Sequence, residues 1–452
     1  MQVTPDAGPE RARARLARRL RPRSPAVPAP GSRPGPGSRP GPGSRPGPGA
    51  PARLGRLDRP AAAAVIALAG WAAFVVARLL TWAHGDITLF IMSGVKKYSH
   101  PGSMHPAIGH VPLAGYDGQF YYRLAISPFD WAHSADGITM DHAYRYTRLG
   151  YPLLAWAASL GQAAWLPVVL VAVNLACMGA IGWLGGVLAR DAGRHALWGL
   201  LLTAYFGTVI SVGRDTAEPL ADVAMLGGLL ALRRGRHLGA TALLVLAAIT
   251  NETTLVVPAA LAATRAWTWF TGGRARPGKA DLAWLGPGSA WLALQGAQRL
   301  AVHWQAGAPA DVSRNLGPPF QGMERGLRAD IRGMSWHHLG RYDINLIEFA
   351  ALAAIVAAGF AVLLATAAPV HERLAFAGFV LVEMVLATWQ FWGSVFGDGR
   401  AFVDCYLLAF VVLLATPATG ARPRVTNGRL ALVAMIALAA LIVVARRRIL
   451  FQ

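Results

Sequence analysis

Cysteine and charge are what this chain has least of. Its two cysteines, Cys177 and Cys405, both fall inside apolar runs, so they argue for neither a disulfide framework nor a zinc site. Only 15% of residues are charged, 54% are hydrophobic and the mean hydropathy is +0.39. That balance excludes a soluble domain and points to an all-α polytopic membrane protein. Acids are scarcer than bases, 23 Asp and Glu against 43 Lys and Arg, for a net charge of +20. Such a sign invites a nucleic-acid partner, but much of the excess sits in the first sixty residues and the rest on short loops between apolar runs. Basic residues at membrane borders report topology and anionic lipid first. Membrane lipids are therefore the expected partner, and nucleic acid is not.

Residues 1–59 are a separate physical object. Arg11, Arg13, Arg15, Arg18, Arg19, Arg21 and Arg23 open it, and a Gly-Ser-Arg-Pro-Gly-Pro unit then repeats from Gly31. Pro and Gly at that density bury no apolar surface, which predicts a disordered, basic cytoplasmic tail. The first apolar run begins too far along the chain, and is too long, for a cleaved signal peptide. Residues 60–446 are expected to form one transmembrane domain. Apolar spans are read at 61–83, 156–189, 196–212, 219–232, 282–302, 346–368, 374–392, 402–416 and 430–445. A short interfacial helix is expected near Tyr151. The apolar stretch 238–263 is broken by Thr250-Asn251-Glu252-Thr253 and reads as two short helices that dip in and return. Together these make about eleven crossings, within a range of roughly 10–12, at about 20 residues or fewer each.

With the tail cytoplasmic, the Arg-rich loops at 190–194, 233–237, 265–279 and 418–429 all fall on the same side, as the positive-inside rule requires. Arg446-Arg447-Arg448 conflicts with it, which leaves the side of the C-terminus open. The same assignment puts two long loops, 84–150 and 303–345, outside the cytoplasm. It also gathers the unusual polar segments there: Gly85-Asp86, Tyr116-Asp117-Gly118-Gln119-Phe120-Tyr121-Tyr122-Arg123, Arg214-Asp215-Thr216-Ala217-Glu218, Asn251-Glu252 and Asp398-Gly399-Arg400. Acids at a membrane border are costly and usually line a wet cavity or pair with a base. Singly, each could end a helix instead, with Asp215 or Asp398 as a cap.

The run Gly115–Ala125, the run Arg145-Tyr146-Thr147-Arg148-Leu149-Gly150-Tyr151-Pro152, Arg214–Ala221 and Thr250–Thr253 resemble bacterial membrane proteins of the GT-C glycosyltransferase superfamily, closest to a set implicated in forming cell-surface glycopolymers. The resemblance covers about 61–445. Asn251 departs from the pattern, since a basic residue often stands before the acid there. What the resemblance implies is a GT-C-like helical bundle with a catalytic acid in the first extracytoplasmic loop. The donor would be a polyprenyl-phosphate sugar, and the acceptor a cell-envelope glycan or lipid. The resemblance fixes no cofactor; a divalent metal is compatible with the converging acids, although no recognised ligand spacing exists. A carboxylate base near the acceptor hydroxyl and cations near the phosphate would suffice. Asp117 is the expected base, with Asp86 as the second candidate.

Arg400, Arg341 and Arg123 are the candidate phosphate ligands, because a guanidinium fork suits phosphate oxygens. Asp215, Glu218 and Glu252 would orient those cations or bind acceptor hydroxyls, and Gln119 belongs to the same sugar-gripping stretch. Tyr116, Phe120, Tyr121 and Tyr122 have two readings: a stacking wall for a sugar, or an amphipathic helix at the interface. His100, His105 and His110 recur at a fixed interval, but among Pro and Gly this reads as loop spacing rather than a metal site. The rival class is a transporter or lipid-carrier flippase, for which the broken stretch 238–263 would be a signature. No second copy of the Asp117 motif marks a repeated half.

Overall fold

Apolar periodicity and Pro placement make most of the described residues helical. A computed structural model of the chain describes residues 57–104, 106–112, 114–272, 277–304, 315–335, 340–387, 392 and 398–416. Residues 1–56 of the tail, the last apolar run at 430–445, the basic segments 418–429 and 446–448, and His105 lie outside the described residues.

Helix α1 (Pro60–Thr81) starts on a Pro at its first position, where the missing N–H costs nothing. The first loop then folds on itself through short 3-10 turns and two small strand pairs. β1 (Ser93–Gly94) runs parallel to β2 (His110–Val111), and β3 (Ser134–Ala135) is antiparallel to β4 (Ile138–Thr139). Helix α2 (Gly118–Ile126) lies inside this loop, followed by a 3-10 turn at Ala143–Thr147 and α3 (Gly150–Ala158). The expected short helix near Tyr151 is thus α3, separate from the long α4 (Leu166–Asp191).

The span expected at 196–212 is broken. A 3-10 stretch, Ala196–Thr203, meets α5 (Phe206–Gly213) at a 64° bend. Next come α6 (Glu218–Arg233), α7 (His237–Thr250) and α8 (Val256–Phe270), with a 3-10 turn at Glu252–Leu255 marking the expected polar break. After α9 (Leu282–Ala301), the second long loop contains a helix of its own, α10 (Gln321–Gly333), packed on α11 (Arg341–Val362). The described bundle closes with α12 (Val370–Met384), a single turn α13 (Asp398–Ala401) and α14 (Val403–Leu414).

Among the described residues, α1, the stretch Ala163–Asp191 ending α4, and Tyr342–Val362 in α11 are long and apolar enough to cross a membrane, and the bent pair would make a fourth. Of the other described helices, α9 has the length (20 residues) but not the apolarity, and the rest are shorter.

The bundle has two chemically different ends. At one, Arg190 pairs with Asp58, Arg234 approaches Asp191 at 3.7 Å, Arg233 pairs with Glu372, and Arg194 donates to the carbonyls of Leu414 and Thr416. At the other end sit Glu218, which begins α6, and Arg400, just ahead of α14. Helix α6 alone separates Glu218 from Arg233 by about 22 Å.

Close backbone approach explains two glycines of the first loop. A Cβ on Gly118 would stand 2.4 Å from the Arg214 carbonyl oxygen and 2.7 Å from that of Ile91. One on Gly150 would stand 2.0 Å from Thr250 Oγ1, where α3 crosses α7. Gly118→Ala therefore forces the Asp117 loop off the α5–α6 connection. We expect a loss of about 1–3 kcal/mol, the usual cost of overpacking, seen as a lower melting temperature in detergent; an unchanged melt would mean the approach is looser than described.

Candidate functional site

Asp117 stands at the N-cap position of α2, where an Asp normally accepts from the helix's free N–H groups. It makes no such bond. Its carboxylate is committed elsewhere: Arg145 Nη2 lies 2.9 Å from Oδ1 and Arg400 Nη2 lies 2.6 Å from Oδ2. The Arg400 Nε is 3.2 Å from Glu218 Oε1, and Arg145 also grips Asp141, with Nη2 2.7 Å from Oδ2. Glu218 in turn accepts from the Thr216 hydroxyl and, at 3.3 Å, from Ser211. One carboxylate thus joins the first loop, the Ala143–Thr147 turn and the α13 turn.

Arg145 lies in the 3-10 turn and Arg148, three residues on, caps its C-terminal end. Arg148 donates through Nε to Glu252 Oε2 at 2.7 Å, which brings the Asn251 break into the same network. Both guanidinium groups lie over the Tyr144 ring, at 5.4 and 5.1 Å. Tyr116 is the aromatic centre on the other side, with Arg214 at 4.6 Å and Arg400 at 5.1 Å from its ring.

Burial alone would raise the Asp117 carboxyl, but the neighbouring Arg145 and Arg400 overturn that and hold it far below the usual carboxylate range. Burial would likewise lower Arg145, and Asp117 above all keeps it well above its ordinary value. In this resting arrangement Asp117 is ionised and a weak base. Two donors of the network remain unused: Nη1 of Arg145 and Nη1 of Arg400 are buried with no hydrogen-bond partner. Buried donors of that kind are uncommon and call for an acceptor.

The structure brings together Asp117, Tyr116, Glu218, Arg400 and, through Arg148, Glu252. Other expected site residues have different work. Asp86 is an exposed cap of the 3-10 turn Ile87–Ile91, accepting from Thr88 N at 2.9 Å and Thr88 Oγ1 at 2.6 Å. Gln119 is buried and holds the loop in shape: Oε1 accepts from Gly94 N and from Ser99 Oγ, while Nε2 donates to the Ala114 carbonyl. Arg123 is buried too, donating to the Ala132 carbonyl at 2.6 Å beside the Tyr146 ring.

Neither reading of the aromatic run survives for Phe120, Tyr121 and Tyr122. Every residue from Gly118 to Ala125 is buried, so α2 is a core helix with no interfacial or sugar-facing side. Phe120 packs edge-on against Tyr98 and lies under Arg145; Tyr121 packs against Tyr151. Asp215 is fully buried in a left-handed conformation, φ +46°, with neither oxygen hydrogen-bonded and Arg78 as the cation acting on it. The Arg341 side chain lies outside the described set.

Arg145 and Arg148, the central guanidinium groups, entered the sequence reading only within the run that carries the resemblance and had no site role there; their three-residue spacing beside Tyr144 was the available signal. Among the described residues, no three His, Cys, Asp or Glu side chains are placed to hold a metal ion. No family model, curated protein or solved structure matches the chain.

The Asp117 pairing has a pH signature. Because the folded carboxyl lies below its unfolded value, its contribution is complete above about pH 4 and is lost as pH falls further. Asp117→Asn should lower stability by roughly 3 kcal/mol at neutral pH and flatten the acid side of a plot of melting temperature against pH. Parallel wild-type and variant curves would count against the pairing.

Proposed function

We propose that this protein is a polytopic membrane glycosyltransferase, moving a sugar from a polyprenyl-phosphate donor to a hydroxyl of a cell-envelope glycan or lipid. What supports it is a single arrangement: one carboxylate flanked by two guanidinium groups that each keep a buried, unpartnered donor. The chemistry needs a proton acceptor within reach of a hydroxyl, next to cations that bind a phosphate.

A phosphate oxygen that accepts from the free Nη1 donors competes with Asp117 for Arg145 and Arg400. As the guanidinium groups turn toward phosphate, the field that suppressed the basicity of Asp117 weakens. The acceptor oxygen then attacks the anomeric carbon while its proton passes to Asp117. The bond between that carbon and the phosphate oxygen breaks, and the electron pair leaves with the phosphate. Charge gathering on the leaving group falls on Arg145 and Arg400, so no general acid is needed. Tyr116, held between Arg214 and Arg400, offers a ring face to the sugar.

A cavity of about 300 Å³, lined by Tyr205, Phe206, Leu352, Phe402 and Tyr406 among others, begins two residues beyond Arg400. Its apolar walls suit an isoprenoid chain whose phosphate sits at the guanidinium pair. The basic end of the bundle faces the cytoplasm under the positive-inside rule, which turns the Asp117 end outward. A site at one end of the helices fits transfer at a membrane face better than alternating access, which needs its polar groups near the midplane.

Purified full-length protein in detergent, given labelled polyprenyl-phosphate sugars and wall-glycan acceptors, should transfer label. Asp117→Asn should cut kcat by roughly 10²–10⁴ with expression intact, and Arg400→Lys should raise KM for the donor, because a point charge replaces a fork. Transfer at wild-type rate by the Asp117 variant would remove Asp117 from the chemistry.

A further inference from the structure

Helix α6 carries two acids one turn apart on the same face, Glu218 and Asp222. Opposite them stand Arg400 and, four residues later, Asp404 in the first turn of α14. The two rungs of this ladder are chemically unlike. Glu218 meets a guanidinium. Asp222 meets another acid, since the Asp222 and Asp404 carboxyl groups lie within hydrogen-bonding reach of each other.

Two carboxylates are acceptors only, and a hydrogen bond between them needs a proton. Among the described residues, no cation compensates for the contact. Asp222 is 1% exposed and Asp404 3%. Each has an Oδ1 that is buried without a partner. The neutral support is the Thr253 hydroxyl, which donates to Asp404 Oδ2 at 2.7 Å. The ionisable groups that act on the pair are Glu218 from α6, Cys177 from α4, Glu383 from α12 and Cys405 beside Asp404. None of these is a cation, and among the described residues neither acid forms an ion pair. Nor do the described residues offer a third acid, Cys or His placed to make a metal cage with them.

We propose that the Asp222–Asp404 contact is a proton-binding site whose single shared proton clamps α6 to α14 and so keeps Glu218 against Arg400. With the proton bound, the rung is one neutral acid donating to one carboxylate. Without it, two buried like charges face each other, α6 and α14 part, and Arg400 loses its hold on Glu218. The site goes beyond the transferase reading: it concerns how the ladder is held, and it stands or falls separately from Asp117.

Infrared difference spectra of the full-length protein in lipid nanodiscs at neutral pH test it. The wild type should show a carboxylic-acid carbonyl band that is missing in Asp222→Asn and in Asp404→Asn, because the Asn amide donates in place of the proton. The wild-type melting temperature should fall as pH rises above about 4, where the unfolded carboxyl groups ionise, until the shared proton has left the folded pair, and each Asn variant should lose that fall. Should a single variant fail to fold, Asp222→Asn with Asp404→Asn keeps an amide–amide hydrogen bond and serves for the same two comparisons. An acid band of equal size in wild type and variants, or unchanged pH slopes, overturns the proposal.

Discussion

The sharing of Asp117 between Arg145 and Arg400 is the contact on which the candidate site depends. It draws together the first loop, a 3-10 turn some thirty residues on and the turn that opens α14. The first loop and the Ala143–Thr147 turn also share an apolar cluster through Phe120, Ala143 and Tyr146, and the ion pair with Arg400 adds the α13 turn to them. Taking several charges out of water costs several kcal/mol for each ion, and apolar side chains of similar volume often hold a fold at least as well. The network carries that cost with a donor left over on both guanidinium groups, which the proposed transferase reading would use for an anion. Glycine at position 118 and a hydrogen-bonded Gln119 serve the same end, by letting the loop approach Arg214 and fixing its curvature.

The two ends of the bundle divide the charge between them. Arg190, Arg194, Arg233 and Arg234 gather at one end, and each has a carboxylate or a helix-terminal carbonyl to face. The Asp117 cluster lies at the other, where α6 begins and α14 is about to start. Since both helices run between these ends, their sequences alone carry the polarity: acid first and arginine last in α6, arginine just before and bonded carbonyls last in α14. A membrane around such a bundle would place anionic headgroups against the basic end.

Much of this was legible in the sequence, for identifiable reasons. Long apolar runs gave α1, α4 and α11, and the polar break at Asn251 was visible because nothing else interrupts that stretch. Asp117, Glu218, Glu252 and Arg400 stood out as charges where charge is expensive. What escaped reading depends on partners far apart in the chain. Asp86 and Gln119 look like site residues in one dimension, and only the strands and turns around them show that one caps and the other braces. Tyr121 and Tyr122 read as a sugar-facing surface because aromatic, polar-tipped residues suit an interface. The loop instead folds deeply enough to bury α2 on every side. Arg145 and Arg148 were passed over for the opposite reason: arginines in an exposed-looking loop are ordinary until Asp117 and Glu252 are found across from them.

The depth at which each sign sits completes the argument. Nearest the first loop are the guanidinium groups of Arg145, Arg400 and Arg214 around Asp117 and Tyr116. One step further in, the ladder turns acidic, with Glu218, Asp222 and Asp404 in succession. In a low-dielectric interior such an acidic floor repels an anion strongly. Under the proposed transferase reading, a phosphate drawn to the arginines would meet a barrier immediately below them and stay level with Asp117. An anion that passed Arg400 would then face Asp222 and Asp404, which form no ion pair among the described residues.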